Sequence, residues 1–225
     1  MKGTSFRRLS TMVPAVAVML CCQAAHAESN EVYGGVGTDG LSIGFGHALN
    51  SYTALRAEAG GFALSHNFSS DGLDYHAHIR LVHGGAFADV FPIPTHLPLH
   101  LTIGAIFGGD QVTGDAQPGA DGTYRINGVT VPGLGQTISA KLKWPTVRPY
   151  IGLGLGHSPV GKAGLSVAAD LGVAYGKPDV TFDVPAGIVA EAGASNVAAA
   201  EQQLRDKAHD LRFYPVVKIV LTERF

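Results

Sequence analysis

The sequence predicts an all-β fold: an eight-stranded antiparallel transmembrane β-barrel with short periplasmic turns and two long extracellular loops, the last containing a short helix. Three observations carry this. The C-terminal stretch FYPVVKIVLTERF puts Phe213, Pro215, Val217, Ile219, Leu221 and Glu223 on one face and Tyr214, Val216, Lys218, Val220, Thr222 and Arg224 on the other. Alternation over a dozen residues suits a tilted membrane strand, which needs roughly 9–11 residues to cross the hydrocarbon layer. The chain holds 30 glycines, and its scattered Val, Ile, Leu and Phe favour strands over helices. Beyond the N-terminus no stretch has the ~18 consecutive apolar residues of a transmembrane helix.

The N-terminus reads as an export signal. Lys2, Arg7 and Arg8 precede an apolar run, Met12 to Cys22, interrupted by Pro14, and Ala25-His26-Ala27 offers a small-x-small cleavage pattern. Residues 1–27 are therefore expected to be a signal peptide and residues 28–225 the barrel domain. Lipidation at Cys21 is disfavoured because Leu20 stands where a small residue is wanted. Both cysteines leave with the signal, so no disulfide is expected. Of 16 Lys and Arg, the loss of Lys2, Arg7 and Arg8 leaves 13 against 18 Asp and Glu, a net of −5. Export and mild acidity argue against nucleic acid as a partner.

The mature chain divides by turn signals. A first strand from Glu31 to Thr38 meets the tight-turn pair Asp39-Gly40. A second carries Leu41, Ile43 and Phe45 on one face and ends at Asn50-Ser51. In the third, from Thr53 to about Leu64, Leu55, Ala57 and Ala59 oppose Arg56, Glu58 and Gly60; Ser69 to Gly72 closes that hairpin. In the fourth, Tyr75, Ala77, Ile79 and Leu81 oppose Asp74, His76, His78 and Arg80, and a bulge or strong bend is expected at Gly84-Gly85. Three prolines between Pro92 and Pro98 separate it from a fifth strand bearing Leu101, Ile103, Ala105 and Phe107.

A polar stretch from Asp110 to about Gln136 follows, with a small hairpin expected at Asn127-Gly128. A sixth strand ends in Ile151, Leu153 and Leu155, and His157 to Gly164 turns the chain. A seventh alternates from Leu165 to Tyr175. Residues 184–209 carry one helical pattern with Ser195 as N-cap before Val197 to Leu211. With both termini periplasmic, the two longest connections fall outside and the even ones are short, the asymmetry of such barrels.

In lipid a sheet can span only if closed, so the apolar faces are expected outside and the polar ones inside. Alternation assigns Arg56, Glu58, Asp74, His76, His78, Arg80, Arg148, Asp170 and Lys218 to the lumen as pore-lining residues. One reading is a salt-bridged plug, since eight strands leave an interior that side chains can fill. The other is a narrow polar path for small solutes, with inward glycines leaving space beside the charges. His76 and His78, two apart, could grip a metal ion, but no third ligand is placed beside them and no metal or other cofactor is expected. An outer-membrane hydrolase would need a Ser or Thr nucleophile held by His and an acid; neither His157-Ser158 nor Ser65-His66 shows such a motif, so an enzyme is not expected. The acid-rich outer loops, Asp39 and Asp110 among them, could form an adhesive surface or an acidic mouth that concentrates cationic solutes.

Several segments, in order, resemble one family. Asp121-Gly-Thr-Tyr-Arg-Ile-Asn-Gly128, Val147-Arg-Pro-Tyr-Ile-Gly-Leu-Gly-Leu-Gly156, Asp170-Leu-Gly-Val173 with Lys177-Pro-Asp-Val180, and Tyr214-Pro-Val-Val217 with Arg224-Phe225 are similar to eight-stranded outer-membrane proteins of the CarO type. Phe225 resembles the terminal aromatic signal that outer-membrane barrels present to the barrel-assembly machinery. Glu223 departs from the family, where an aromatic residue is usual. The resemblance implies a bacterial outer-membrane location in contact with its lipid. It also implies passive uptake of small solutes, basic amino acids such as ornithine among them, in a family linked to carbapenem susceptibility.

Overall fold

A computed structural model describes residues 29–70 and 73–225; at 68–70 and 73–75 it describes the backbone alone. The expected signal peptide and the Asp71-Gly72 turn lie outside the described residues. The strands are β1 (Asn30–Gly37), β2 (Gly40–Asn50), β3 (Thr53–Ser70), β4 (Leu73–Val90), β5 (Leu99–Gly108), β6 (Gln111–Ala116), β7 (Thr123–Ile126), β8 (Val129–Pro132), β9 (Ile138–Lys143), β10 (Val147–Leu155), β11 (Gly164–Tyr175), β12 (Asp179–Asp183) and β13 (Phe213–Arg224). Two helices, α1 (Ala186–Ala192) and α2 (Ala194–His209), precede β13.

Eight strands close a ring in the order β1-β2-β3-β4-β5-β10-β11-β13, and β13 returns to β1. The closing seam runs from Glu31 opposite Arg224 to Gly37 opposite Lys218. At its end the Phe225 N–H donates to Asn30 O at 3.0 Å. Closure pairs the ladder on every side, so no strand edge of the ring meets hydrocarbon. Outside, the ring shows a belt of exposed apolar side chains, among them Ile43, Ile103, Ile151, Val167 and Ile219. Phe107, Tyr175 and Phe213 bound it at the loop end and Phe45 and Tyr52 at the turn end, the aromatic girdles of a bilayer-spanning barrel.

The wall continues past the belt on one side. β4 pairs β5 through His83–Val90 and β6 through Tyr75–Arg80, so β5 and β6 act as one strand broken at Gly109-Asp110. β9 pairs β6 and β12 in turn. Residues 110–136, expected to be a loop with one hairpin, thus also supply a wall strand. The hairpin itself, β7 with β8, turns at Asn127 (φ 48°) and Gly128 (φ 84°), the left-handed pair of a type I′ turn.

The expected single helix is two. Gly193 has φ 82° and breaks the helical path, and it is also the residue before α2, so Ser195 lies within α2 instead of capping it. The helices and the hairpin fold on the concave side of the extended wall. There Tyr124, Ile126, Val131, Ile138, Ile188 and Ala192 form one buried apolar cluster, flanked by Phe182 and Val197. Asn127 Nδ2 donates to Asn196 Oδ1 at 3.1 Å and ties hairpin to helix.

β4 corrects a second expectation. Its ladder with β3 runs from Thr53 opposite Val90 to Ser70 opposite Leu73 with no register shift, so the bulge at Gly84-Gly85 is absent. His76, His78 and Arg80 then share the outward face with Val82 and are exposed. Leu81 and Ile79 turn inward. The reason is physical: this half of β4 stands above the lipid belt, where the outer face meets water and the inner face an apolar cap.

Because the cap has its own core, it should melt separately from the ring. Ile188→Asp buries a charge in that core at a cost of several kcal/mol. Limited proteolysis should then cut within 184–209 while the ring keeps its heat-modifiable gel mobility; unchanged protease resistance would contradict a separately folded cap.

Candidate functional site: the ion-paired lumen

Each strand of the ring contributes alternate residues to the interior. Arg56, Glu58, Arg148, Asp170 and Lys218 all project there and are buried. His76, His78 and Arg80 do not, and the Asp74 side chain lies outside the described residues. The buried set also includes Glu31, Asp39, His83, Asp89, His100, Asp110, His157 and Arg224.

These groups form two clusters. The one nearer the periplasmic turns centres on Arg56, whose Nε reaches Asp89 Oδ2 at 2.5 Å and whose Nη1 reaches Asp170 Oδ2 at 3.2 Å. Thr102 Oγ1 donates to Asp89 at 2.7 Å. His100 Nε2 lies 3.1 Å from Asp170, and His157 Nε2 lies 3.5 Å from it. His157 also contacts Glu31 through Nδ1, and Arg224 reaches Glu31 at 3.1 Å. His157 takes φ 51°, a left-handed conformation costly for a non-glycine residue; the two carboxylates it engages offset that cost.

The other cluster lies toward the extracellular loops. Lys218 Nζ bridges Glu58 and, at 2.8 Å, Asp39. His83 sits between Asp39 at 3.4 Å and Asp110 at 3.2 Å, and Arg148 pairs with Asp110. Asp39 and Asp110, expected in acidic outer loops, are thus buried at 3 % exposure each. Asp110 sits in the β5–β6 break and also accepts the Val82 N–H at 2.8 Å. Burial alone would push its carboxyl up, but the His83 contact and the Arg148 charge outweigh it and hold it below the usual carboxylate range. In the first turn, burial of Asp39 is likewise outweighed by His83 and Lys218.

Tyr33 joins the clusters, with its ring edge-on to His157 at 4.9 Å and its hydroxyl donating to Glu58 at 3.3 Å. Between them lies a cavity of about 10 Å³, lined by Arg56, Glu58, Asp170 and Lys218 with Phe87, Ile106, Tyr150 and Val216. That is about room for one water. The inward glycines do not leave a path. A Cβ at Gly44 would fall 2.2 Å from the Tyr33 ring, at Gly172 2.2 Å from the Tyr150 hydroxyl, and at Gly154 2.6 Å from His100. The space each glycine frees is occupied by a large neighbour.

Outside the lumen, the His76 and His78 rings lie 5.4 Å apart on the outer wall. Among the described residues no group of three or more His, Cys, Asp and Glu is placed to hold a metal. Ser65 Oγ lies 2.8 Å from His78 Nδ1 at an exposed position, and the described residues place no acid with that pair.

Alternation on β3, β10, β11 and β13 suffices to find the five buried charges named first. It misses His83 and Asp89, whose inward position depends on an unbroken β4. It also misses Glu31, Arg224 and His157, which meet only through the seam register and a left-handed turn. Arg56→Met removes the cation shared by two buried carboxylates, and breaking such a pair costs roughly 3–5 kcal/mol. Urea unfolding of the refolded barrel should register that loss, whereas a change under about 1 kcal/mol would mean Arg56 is solvated.

No protein-family model matches the chain, and no curated protein matches it. Among solved structures, CarO2 of Acinetobacter baumannii is similar with a TM-score of 0.61 at 19% identity, over 89% of this chain and 100% of that one. CarO of Acinetobacter baumannii gives a TM-score of 0.57 at 17% identity, over 89% and 98%. The likeness is one of fold: the closed ring and its apolar belt are those of an outer-membrane β-barrel.

Proposed function

We propose that the protein is an outer-membrane barrel, closed at rest, that passes small solutes, basic amino acids foremost, when its two ion-pair clusters part. The observation that carries this reading is the water-sized cavity between the clusters, where Glu58 and Lys218 face Arg56 and Asp170. A lysine or ornithine ammonium has the chemistry of Lys218 Nζ and can replace it against Glu58 and Asp39. Six buried carboxylates, Glu31, Asp39, Glu58, Asp89, Asp110 and Asp170, line the interior and are matched by Arg56, Arg148, Lys218 and Arg224 with His83, His100 and His157, so a passing cation can exchange with a wall cation at one carboxylate after another. Transport is passive and uses no cofactor. The CarO-like fold and motifs support the location, as does β13, followed by Phe225, as the strand read by the assembly machinery.

A second reading, a permanently closed structural barrel with a loop-borne binding surface, is favoured by the filled glycine positions. Planar-bilayer recording separates the two. Wild type should show brief, infrequent openings, and Glu58→Ala with Lys218→Ala should conduct steadily. Liposomes carrying the double variant should also swell faster in lysine than in glutamate. Silence from both proteins supports the structural barrel, and equal swelling rates remove the preference for cations.

A further inference from the structure

The outer wall above the lipid belt carries charge in an ordered way. On the outward face of β4, β6, β9 and β12, register places Arg80, Gln111, Lys143 and Asp179 in one rung. The next rung outward holds His78, Thr113, Lys141 and Thr181, and the third His76, Asp115, Ser139 and Asp183. Basic groups therefore lie next to the membrane and acids farther away, with Asp179 the one acid in the first two rungs. Among the described residues, Arg80, Lys141 and Lys143 make no ion pair and no side-chain hydrogen bond. The cations stop at β4: the adjoining strand β3 places Ala63 opposite Arg80 and Ser65 opposite His78, and β2 beyond it presents Leu41.

The belt fixes the height of these cations. Arg80 is two residues from Val82, which is 53% exposed, on the same face of one strand. Lys143 leads through the Trp144–Thr146 break into Val147, which pairs with Phe107, and both are exposed in the belt. With strands ~4.8 Å apart, Arg80 and Lys143 are about 10 Å apart, and Lys141 stands about 7 Å farther up β9. Three unpaired cations at headgroup depth, directly above an apolar strip of Val82, Phe107 and Val147, complement a lipid with phosphate on its headgroup and acyl chains below.

We propose that this sector, Arg80, Lys141 and Lys143 above Val82, Phe107 and Val147, docks a phosphorylated glycolipid of the outer leaflet. The proposal rests on the outer-membrane location and is independent of whether the lumen conducts. Basic clusters next to a lipid-facing surface bind anionic headgroups in this way. The phosphates lie on the three cations while the chains follow the apolar strip. The acids of the third rung repel the same headgroup and set its upper limit.

Native mass spectrometry of the refolded full barrel in detergent micelles, with added bisphosphorylated lipid A, tests it. Wild type should retain the lipid, and Arg80→Gln with Lys141→Gln and Lys143→Gln should bind it on the order of a hundredfold more weakly. A control, Lys162→Gln with Lys207→Gln, should bind as wild type does. Heat-modifiable gel mobility reports folding of each variant. If the triple variant fails to fold, Lys143→Gln alone is read, with roughly fivefold weaker binding expected. Equal retention by the cation variant, equal retention of dephosphorylated lipid A, or an equal loss in the control overturns the proposal. So does inorganic phosphate bound as tightly as the lipid.

Discussion

Arg56, held between Asp89 and Asp170 in a closed ring, is the interaction on which the rest of the interior depends. An eight-stranded ring leaves an interior only about one side chain deep, and its lining is cut off from bulk water. A carboxylate placed there must find its counter-charge inside the same ring, because an uncompensated buried charge costs several kcal/mol. Asp89 comes from β4 and Asp170 from β11, on different sides of the barrel, and one guanidinium with planar, multiple donors engages both. The other groups follow from that choice. His100 and His157 complete the shell of Asp170, and His157 brings in Glu31 and the seam residue Arg224. The same cluster that fills the lumen thus also fixes the register at which the barrel closes.

The second cluster is built differently. Its acids Asp39 and Asp110 sit in a turn and in a strand break, and Lys218, His83 and Arg148 reach up to them. Charges from connecting segments therefore close the extracellular end, while charges from strands close the middle. A small cavity lies between the two, and Tyr33 touches both, through His157 on one side and Glu58 on the other. The proposed passage of small cations requires the two clusters to part at this junction.

Much of this was legible in the sequence, and what was not has physical causes. The period of two in β3, β10, β11 and β13 reveals inward charges because those stretches lie within the bilayer, where polar means inside. β4 breaks that rule midway. Above the belt its polar residues His76, His78 and Arg80 face water and its apolar Ile79 and Leu81 face the cap, so one alternation carries opposite meanings at its two ends. Asp39 and Asp110 look like loop acids because burial in a turn leaves no periodic mark. The split of the last loop into α1 and α2 turns on Gly193 alone. Glu31 and Arg224 are 193 residues apart, and only the closing register brings them together.

The central claim, a lumen filled by interlocked side chains, is tested most directly by thiol access. The expected mature chain has no cysteine, so a single thiol introduced as Val216→Cys, at the wall of the central cavity, is a clean probe. Ser65→Cys on the exposed outer wall serves as the reference. A membrane-impermeant thiosulfonate should modify the reference promptly and leave the Val216→Cys protein untouched until it is unfolded. Modification of both at the same rate in the folded barrel would show a water-filled lumen and contradict the account.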